Sequence, residues 1–224
     1  MVALFRGRRY NPGVVAAPPK LREQKKAETR TQILQVAQAL FHDRGFEATT
    51  IDDICAALPI SKRTFFRYFP DKEALVFPNR DKRLERFTEL LTSAPKSEQP
   101  FDTFRRVTRL FAAEYMINRE QLLAQQALIA TSPTLLARER EIDHDWERAI
   151  ADAFARRFPR GLASRRRAEV LAGAMIGVVR ATMRHWFSRG CVDNLEKLGH
   201  EALGSLERGF SVEEPSKPRA RTKR

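Results

Sequence analysis

The residues best equipped for chemistry form one short run, Ser61-Lys62-Arg63-Thr64-Phe65-Phe66-Arg67-Tyr68-Phe69. Wound as a helix, the run offers Lys62, Arg63 and Arg67 to solvent beside the hydroxyls of Ser61 and Thr64, while Phe65 and Phe69, four apart, turn inward together. Cationic and hydroxyl donors on one helical face suit hydrogen bonds to phosphates and to base edges in a DNA major groove. Residues 31–80 balance six basic against six acidic side chains, so the cations are concentrated on this element and do not belong to a general basic patch.

Arg180 and Arg184, four apart in an otherwise apolar stretch, can hold the carboxylate or phosphate of a small ligand. They can also pair with acids such as Asp145 and Glu147, the commoner arrangement for buried charge. Two cysteines, Cys55 and Cys191, are too few for a disulfide framework or a cysteine zinc site, and the four histidines lack ligand spacing. Cys55 reads as a small packing residue where two helices cross. No nucleophile–base pair, phosphate-binding loop or metal set is evident, so the chain does not read as an enzyme and implies no metal and no cofactor.

The elements that must position the 61–69 run are helical. Ile33, Leu34, Ala37, Leu40 and Phe41 follow the spacing of one apolar helix face, and Gly45 ends it. Thr50 followed by Asp53 starts a capping box and a short helix over about 51–57, which Pro59 terminates. Ser61 caps the next short helix; Pro70 stops it, and Asp71 caps a longer one reaching residue 92, kinked or broken at Pro78. Two short helices joined by Leu58, Pro59 and Ile60 describe a helix-turn-helix. By itself that pattern also fits any bundle of short amphipathic helices.

Composition agrees with an all-α protein. Of 224 residues, 42% are hydrophobic and 31% charged, enough to build a core. The formal net charge of +13 sits mostly at the ends. Residues 1–30 hold eight Lys/Arg against two acids, and residues 215–224 hold five Lys/Arg and no acid. Such ends add affinity for a phosphate backbone without reading sequence, or serve as solvated tails. No apolar stretch reaches the length of a membrane span, and the basic Arg6-Gly7-Arg8-Arg9 interrupts any secretory signal core, so no membrane partner and a cytoplasmic home are expected.

The pattern R-x-x-I-L-x-x-A-x-x-L-F-x-x-x-G-F-x-x-T-T-I-x-x-I over residues 30–54, followed by S-K-R-T-F-F-R-Y-F-P-D-K-E-A-L over 61–75, closely resembles the DNA-binding domain of the TetR family of bacterial transcriptional regulators. The resemblance implies that Thr49 and Thr50 touch phosphate at the start of the second helix. It implies that Ser61, Lys62, Arg63, Thr64, Phe66 and Arg67 face base edges, that Tyr68 bonds a phosphate and that Lys72 clamps another. Two positions depart from the family pattern. Pro59 stands where Gly is usual and cannot adopt a positive φ, and Phe66 replaces a tyrosine, losing a hydroxyl but keeping a ring for a thymine methyl.

Beyond a loop at 94–100, further helices are expected over about 101–118, 120–131, 133–158, 164–189 and 193–209. Ile142, Trp146, Ile150, Phe154 and Phe158 recur every four residues, a stripe that is more often core than ligand box. The 171–187 segment is apolar nearly all round and carries Ala172, Gly173, Ala174 and Gly177, which allow a close helix approach. By resemblance, the last two helices pair with their copies in a homodimer; the residues alone also allow an intramolecular hairpin. The 101–187 region resembles the effector domain of the mycofactocin-regulator branch, which implies a small lipophilic effector such as an acyl-CoA. Tyr115, Gln125, His144, Trp146, Arg180 and Arg184 are the candidate contacts.

The expected organisation is a disordered basic arm over 1–20, a three-helix helix-turn-helix DNA-binding domain over 21–75, a helical ligand-binding and dimerisation domain over 76–210, and a disordered basic tail over 211–224. The expected function is a ligand-responsive repressor that binds a palindromic double-stranded operator as a homodimer. The alternative is a helical ligand carrier or scaffold whose basic tails bind no specific sequence.

Overall fold

The computed structural model describes residues 21–95 and 97–209. The arm over 1–20, the tail over 211–224 and Lys96 in the 94–100 loop lie outside the described residues. All regular structure in the described residues is helical.

Local chemistry sets the bounds of the first three helices. α1 (Leu21–Arg44) buries Ile33, Ala37 and Phe41 on one face and stops where Gly45, at φ 80°, donates its amide to the Phe41 carbonyl at 2.9 Å. α2 (Ile51–Ala56) begins in the expected capping box. The Asp53 amide donates to the Thr50 hydroxyl oxygen at 3.1 Å, and the Thr50 amide donates to the Asp53 carboxylate at 2.8 Å. α3 (Lys62–Tyr68) is capped by Ser61, whose hydroxyl oxygen accepts the Thr64 amide at 3.1 Å. The turn between α2 and α3 accommodates Pro59 with no residue at positive φ.

The helix expected over 71–92, kinked or broken at Pro78, is broken there into two pieces. Asp71 accepts the Ala74 amide at 2.7 Å and introduces only a 3-10 turn, Glu73–Leu75. The chain breaks over 76–79, where Asn79 takes a left-handed φ of 63°, and α4 (Arg80–Thr92) starts afresh. Pro78 has no amide for the helical ladder and disfavours helical geometry at Phe77. Asn is among the few residues that tolerate the left-handed region that follows.

The remaining helices are α5 (Pro100–Ile117), α6 (Arg119–Ala130), α7 (Pro133–Ala155), α8 (Leu162–Ser188) and α9 (Leu195–Arg208). Phe87, Phe104, Val107, Ile150, Phe154, Ala172 and Met175 form their main core. A smaller cluster holds Trp186, Cys191 and Leu195, and the Trp186 indole donates to the Asp193 carbonyl at 2.9 Å. Ile150 and Phe154 of the α7 stripe are fully buried, as a core stripe should be.

The N-terminal core does not close on its own residues. Ile33, Phe41, Ile54, Phe65 and Phe69 pack together, and Ile129 from α6 and Leu135 from α7 are buried with them. In the 171–187 segment expected to be buried all round, Ala172, Met175, Ile176 and Trp186 are buried, Val178, Val179, Met183 and Phe187 are half-buried and Ala181 is exposed; just before it, Val170 is exposed as well. A Cβ placed on Gly177 would meet no atom within 4 Å. Within one chain, then, Gly177 is not a site of close helix contact.

Candidate nucleic-acid interface and effector cavity

α3 is held from below by aromatic packing. Phe65 and Phe69 are buried with ring centroids 6.0 Å apart, and the Arg30 guanidinium lies 5.0 Å from the Phe69 ring centre. This anchoring leaves Lys62, Arg63, Phe66 and Arg67 exposed on the outer face, with Phe66 half exposed. Lys62 pairs with Asp52 of α2 at 2.8 Å, and that hydrogen bond holds its ammonium pKa above the usual lysine value. Arg63 and Arg67 have no carboxylate partner among the described residues. Arg67 instead lies over the Tyr68 ring and donates to its hydroxyl at 3.4 Å. Ser61 is exposed and Thr64 half-buried, and their hydroxyls bond each other at 3.1 Å.

Three residues expected at phosphates are committed elsewhere. Thr49 is fully buried, and its hydroxyl bonds the Gly45 carbonyl at 2.8 Å, so its side chain is no surface contact. Thr50 is exposed, but its hydroxyl donates to Asp53 at 2.6 Å and holds that carboxylate below the usual range. The Lys72 ammonium donates to the carbonyls of Phe46 and Thr49, at 2.7 and 2.8 Å, and rests 4.1 Å from the Phe46 ring centre. Lys72 therefore braces the α1–α2 loop and keeps at most one N–H for a phosphate.

A cavity of about 1110 Å³ lies among α4 to α9. Tyr115, Gln125, Trp146, Arg180 and Arg184 all line it; His144 does not. Glu139, Ile142, Asp143 and Trp146 form the α7 stripe that faces the cavity, and His144, rotated about 100° from Asp143, is exposed outside it. Arg180 lies 3.7 Å from Asp143, not from Asp145 or Glu147. Asp145 accepts from Arg80, and Glu147 sits against Gly173. Tyr115 accepts a hydrogen bond from Arg83, and Gln125 donates its amide to the Val76 carbonyl at 2.6 Å.

The sequence reading missed the groups that tie the start of α7 to the N-terminal helices. The fully buried Ser132, at the start of α7, donates to Glu47 at 2.5 Å, and that bond leads the influences holding the Glu47 pKa below its usual value. Arg138 lies 3.7 Å from Asp71, and Leu135 is buried in the N-terminal core. Two half-buried cavity acids, Glu139 and Asp143, were also missed, and burial pushes both pKa values up. Their spacing, four apart on one helix, was visible in the sequence, but their burial was not. Among the described residues no cluster of metal-ligating side chains occurs, and no helix is long and apolar enough to cross a membrane.

Comparison with known proteins places both regions. Residues 33–77 match the family model described as bacterial regulatory proteins, tetR family, and residues 98–211 match that of the MftR C-terminal domain. TcmR, a helix-turn-helix transcriptional regulator of Streptomyces glaucescens, is 28% identical over 197 residues, covering 84% of this chain and 87% of TcmR. The protein named for regulation of mycofactocin biosynthesis, MftR of Mycobacterium tuberculosis, is 28% identical over 180 residues, covering 79% of this chain and 88% of MftR. Among solved structures, FadR of Thermus thermophilus, a transcriptional repressor crystallised with lauroyl-CoA, superposes with a TM-score of 0.52 at 23% identity. That match covers 84% of this chain and 98% of FadR, and the likeness is one of fold.

Proposed function

The chain belongs to the TetR family of bacterial regulatory proteins, and from that premise we propose that it is a homodimeric repressor released from a palindromic operator by a small lipophilic effector. The observation that carries the reading is the outer face of α3. Arg63, Phe66 and Arg67 stand free of carboxylates on a helix whose other side is anchored in a core. Arg63 and Arg67 are the proposed base readers, with Ser61, Lys62, Thr64 and Phe66 beside them. Tyr68 and the remaining Lys72 N–H are the proposed phosphate contacts, joined by Thr50 where its hydroxyl exchanges Asp53 for a phosphate oxygen. Lys62 must exchange Asp52 for DNA to take part.

Two copies of α3 must lie about 34–36 Å apart to enter successive major grooves. The open face of α8, with Gly177 uncovered and Val170 exposed, supports pairing with a second copy. The cavity supports a lipophilic effector, and the lauroyl-CoA of the Thermus protein supports an acyl-CoA as a member of that class. Gln125 and α7 run from the cavity wall to the N-terminal core, so a ligand that shifts them changes the separation of the reading helices. Moving the population from 1:99 to 99:1 requires a preference of about 5.5 kcal/mol for the released state. A DNA partner implies that the protein acts in the cytoplasm.

Footprinting on promoter DNA, beginning beside the protein's own gene, tests the reading. Salt-sensitive protection of one duplex and not of its shuffled sequence is expected; equal binding to both overturns it. Gly177→Trp should yield a monomer in sedimentation and weaken operator binding about a hundredfold or more, because the second half-site is lost. A dimer of unchanged affinity would place the interface elsewhere.

A further inference from the structure

The cavity has two polar walls of opposite character. On the α4–α5 side, Arg83 is half-buried, donates to the Tyr115 hydroxyl and lies 4.6 Å from the centre of that ring. Of the other cavity cations, Arg80 is neutralised by Asp145, Arg106 by Glu98 and Arg180 by Asp143, while Arg140 and Arg184, on α7 and α8, have no carboxylate partner among the described residues. Arg83 has no carboxylate partner among the described residues. This wall therefore asks for a ligand oxygen that accepts hydrogen bonds and carries negative charge.

On the α7 side stand Glu139 and Asp143, acceptors whose burial disfavours their charged forms. A hydrogen-bond donor brought by a ligand would satisfy them. Between the two walls the surface is aromatic. Trp146 meets Phe87 and Phe111 edge to face, with centroids 4.8 and 6.0 Å apart. A flexible acyl chain would cover these rings but would leave Glu139 desolvated with no donor, and Asp143 with only Arg180 at 3.7 Å. A flat ring system both stacks against aromatic faces and carries substituents in fixed directions.

We propose that the cavity is built for a fused-ring aromatic acid bearing a distal hydroxyl, with its carboxylate on Arg83 and Tyr115, its rings against Phe111 and Trp146, and its hydroxyl donating to Glu139 or Asp143. The proposal rests on the ligand-responsive reading above and narrows its effector class. Tyr115 has a defined part, accepting from Arg83 through its oxygen and donating its own proton to the ligand carboxylate.

The test is calorimetry on the full chain with 6-hydroxy-2-naphthoate as probe, and 2-naphthoate, dodecanoate and lauroyl-CoA as comparators. The hydroxylated probe should bind about tenfold more tightly than 2-naphthoate, because only it satisfies the α7 acids, and dodecanoate should bind more weakly than both naphthoates. Arg83→Met should weaken both naphthoates about tenfold or more, and Tyr115→Phe should follow it in the same direction with the ring retained. Glu139→Met combined with Asp143→Leu should abolish the advantage of the hydroxyl while leaving 2-naphthoate binding intact. Operator footprints like the parent's and melting temperatures no lower than the parent's show that these variants are folded. The inference is overturned if 6-hydroxy-2-naphthoate does not bind, if its hydroxyl confers no advantage, if dodecanoate binds more tightly, or if Arg83→Met changes nothing. Should lauroyl-CoA alone bind and release the operator, the aromatic inference falls while the regulator reading stands; absence of any specific operator complex sinks the regulator reading itself.

Discussion

In the reading module, nearly every polar side chain close to the core answers another in the same chain; in the effector cavity, several face open space. Thr49, Thr50, Ser61 and Lys72 fix backbone groups around α2 and α3, so the exposed Arg63 and Arg67 project from a braced platform. In the cavity of about 1110 Å³, Arg83 meets only the neutral Tyr115 hydroxyl, Asp143 only Arg180 at 3.7 Å, and Glu139 no basic side chain among the described residues. The difference matches the partners. DNA presents a fixed groove and rewards a pre-organised reader, whereas a ligand that must shift an equilibrium needs groups whose satisfaction depends on its presence.

Removing a ring from each region should break the comparison most visibly. Phe65→Ala empties a closed core and should cost about 3–5 kcal/mol of stability in chemical denaturation. Trp146→Ala, at a half-buried wall residue, should cost less than half as much, and equal losses would mean that the cavity wall is packed like a core.

A smaller change separates the two regions by function. Arg63→Ala or Arg67→Ala should cost about 1–3 kcal/mol on the cognate operator and far less on random DNA, read by competitive titration. Proportional losses on both duplexes would make these arginines phosphate contacts. Smaller again, Thr50→Ala removes the α2 cap and should lower stability by about 1 kcal/mol, leaving ligand affinity unchanged.

Acid titration sharpens the contrast through its sign. Asp53 and Glu47 have lowered pKa values in the fold, so their stabilisation is present at neutral pH and disappears as the pH falls below the usual carboxylate range of about 4. Glu139 and Asp143 have raised values, so their ionisation opposes folding at neutral pH, and that penalty is relieved as the pH falls through their folded pKa toward the same range. Melting curves should therefore show Glu47→Gln destabilising near neutrality and converging with the parent in acid. Glu139→Gln should stabilise near neutrality and also converge in acid. If both variants shift in the same direction, the electrostatic contrast is wrong. The smallest effect concerns the arm over 1–20: deleting it should flatten the salt dependence of operator binding by about 0.9 log units per lost phosphate contact, without altering site preference.

What could be read from the sequence divides along the same line. The caps at Thr50 and Ser61, the stop at Gly45 and the paired Phe65 and Phe69 are local, within four residues, and the structure has them as expected. The break expected at Pro78 is present, with a left-handed Asn79 beside it, but the stretch before it, expected as helix from Asp71, forms only a 3-10 turn. Thr49 turns inward to the Gly45 carbonyl four residues back, which its residue type did not reveal, and the bracing role of Lys72 was hidden because its contact with Phe46 spans 26 residues. Ser132 with Glu47, 85 residues apart, left no periodic trace at all. His144 was placed by residue type alone, and the helical phase of α7 turned it away from the cavity.

The burial of Ile129 and Leu135 in the N-terminal core has a consequence for anyone who would re-engineer this regulator. A chimera joined at residue 76 would give a foreign reading head two side chains shaped for a different recess, and would strip the original head of its plug. Each lost aliphatic contact of that kind costs about 2–5 kcal/mol, enough to unfold a small module. Retargeting to a new operator should therefore proceed by exchanging the exposed side chains of α3 alone, or by moving residues 129–135 together with the head they complete.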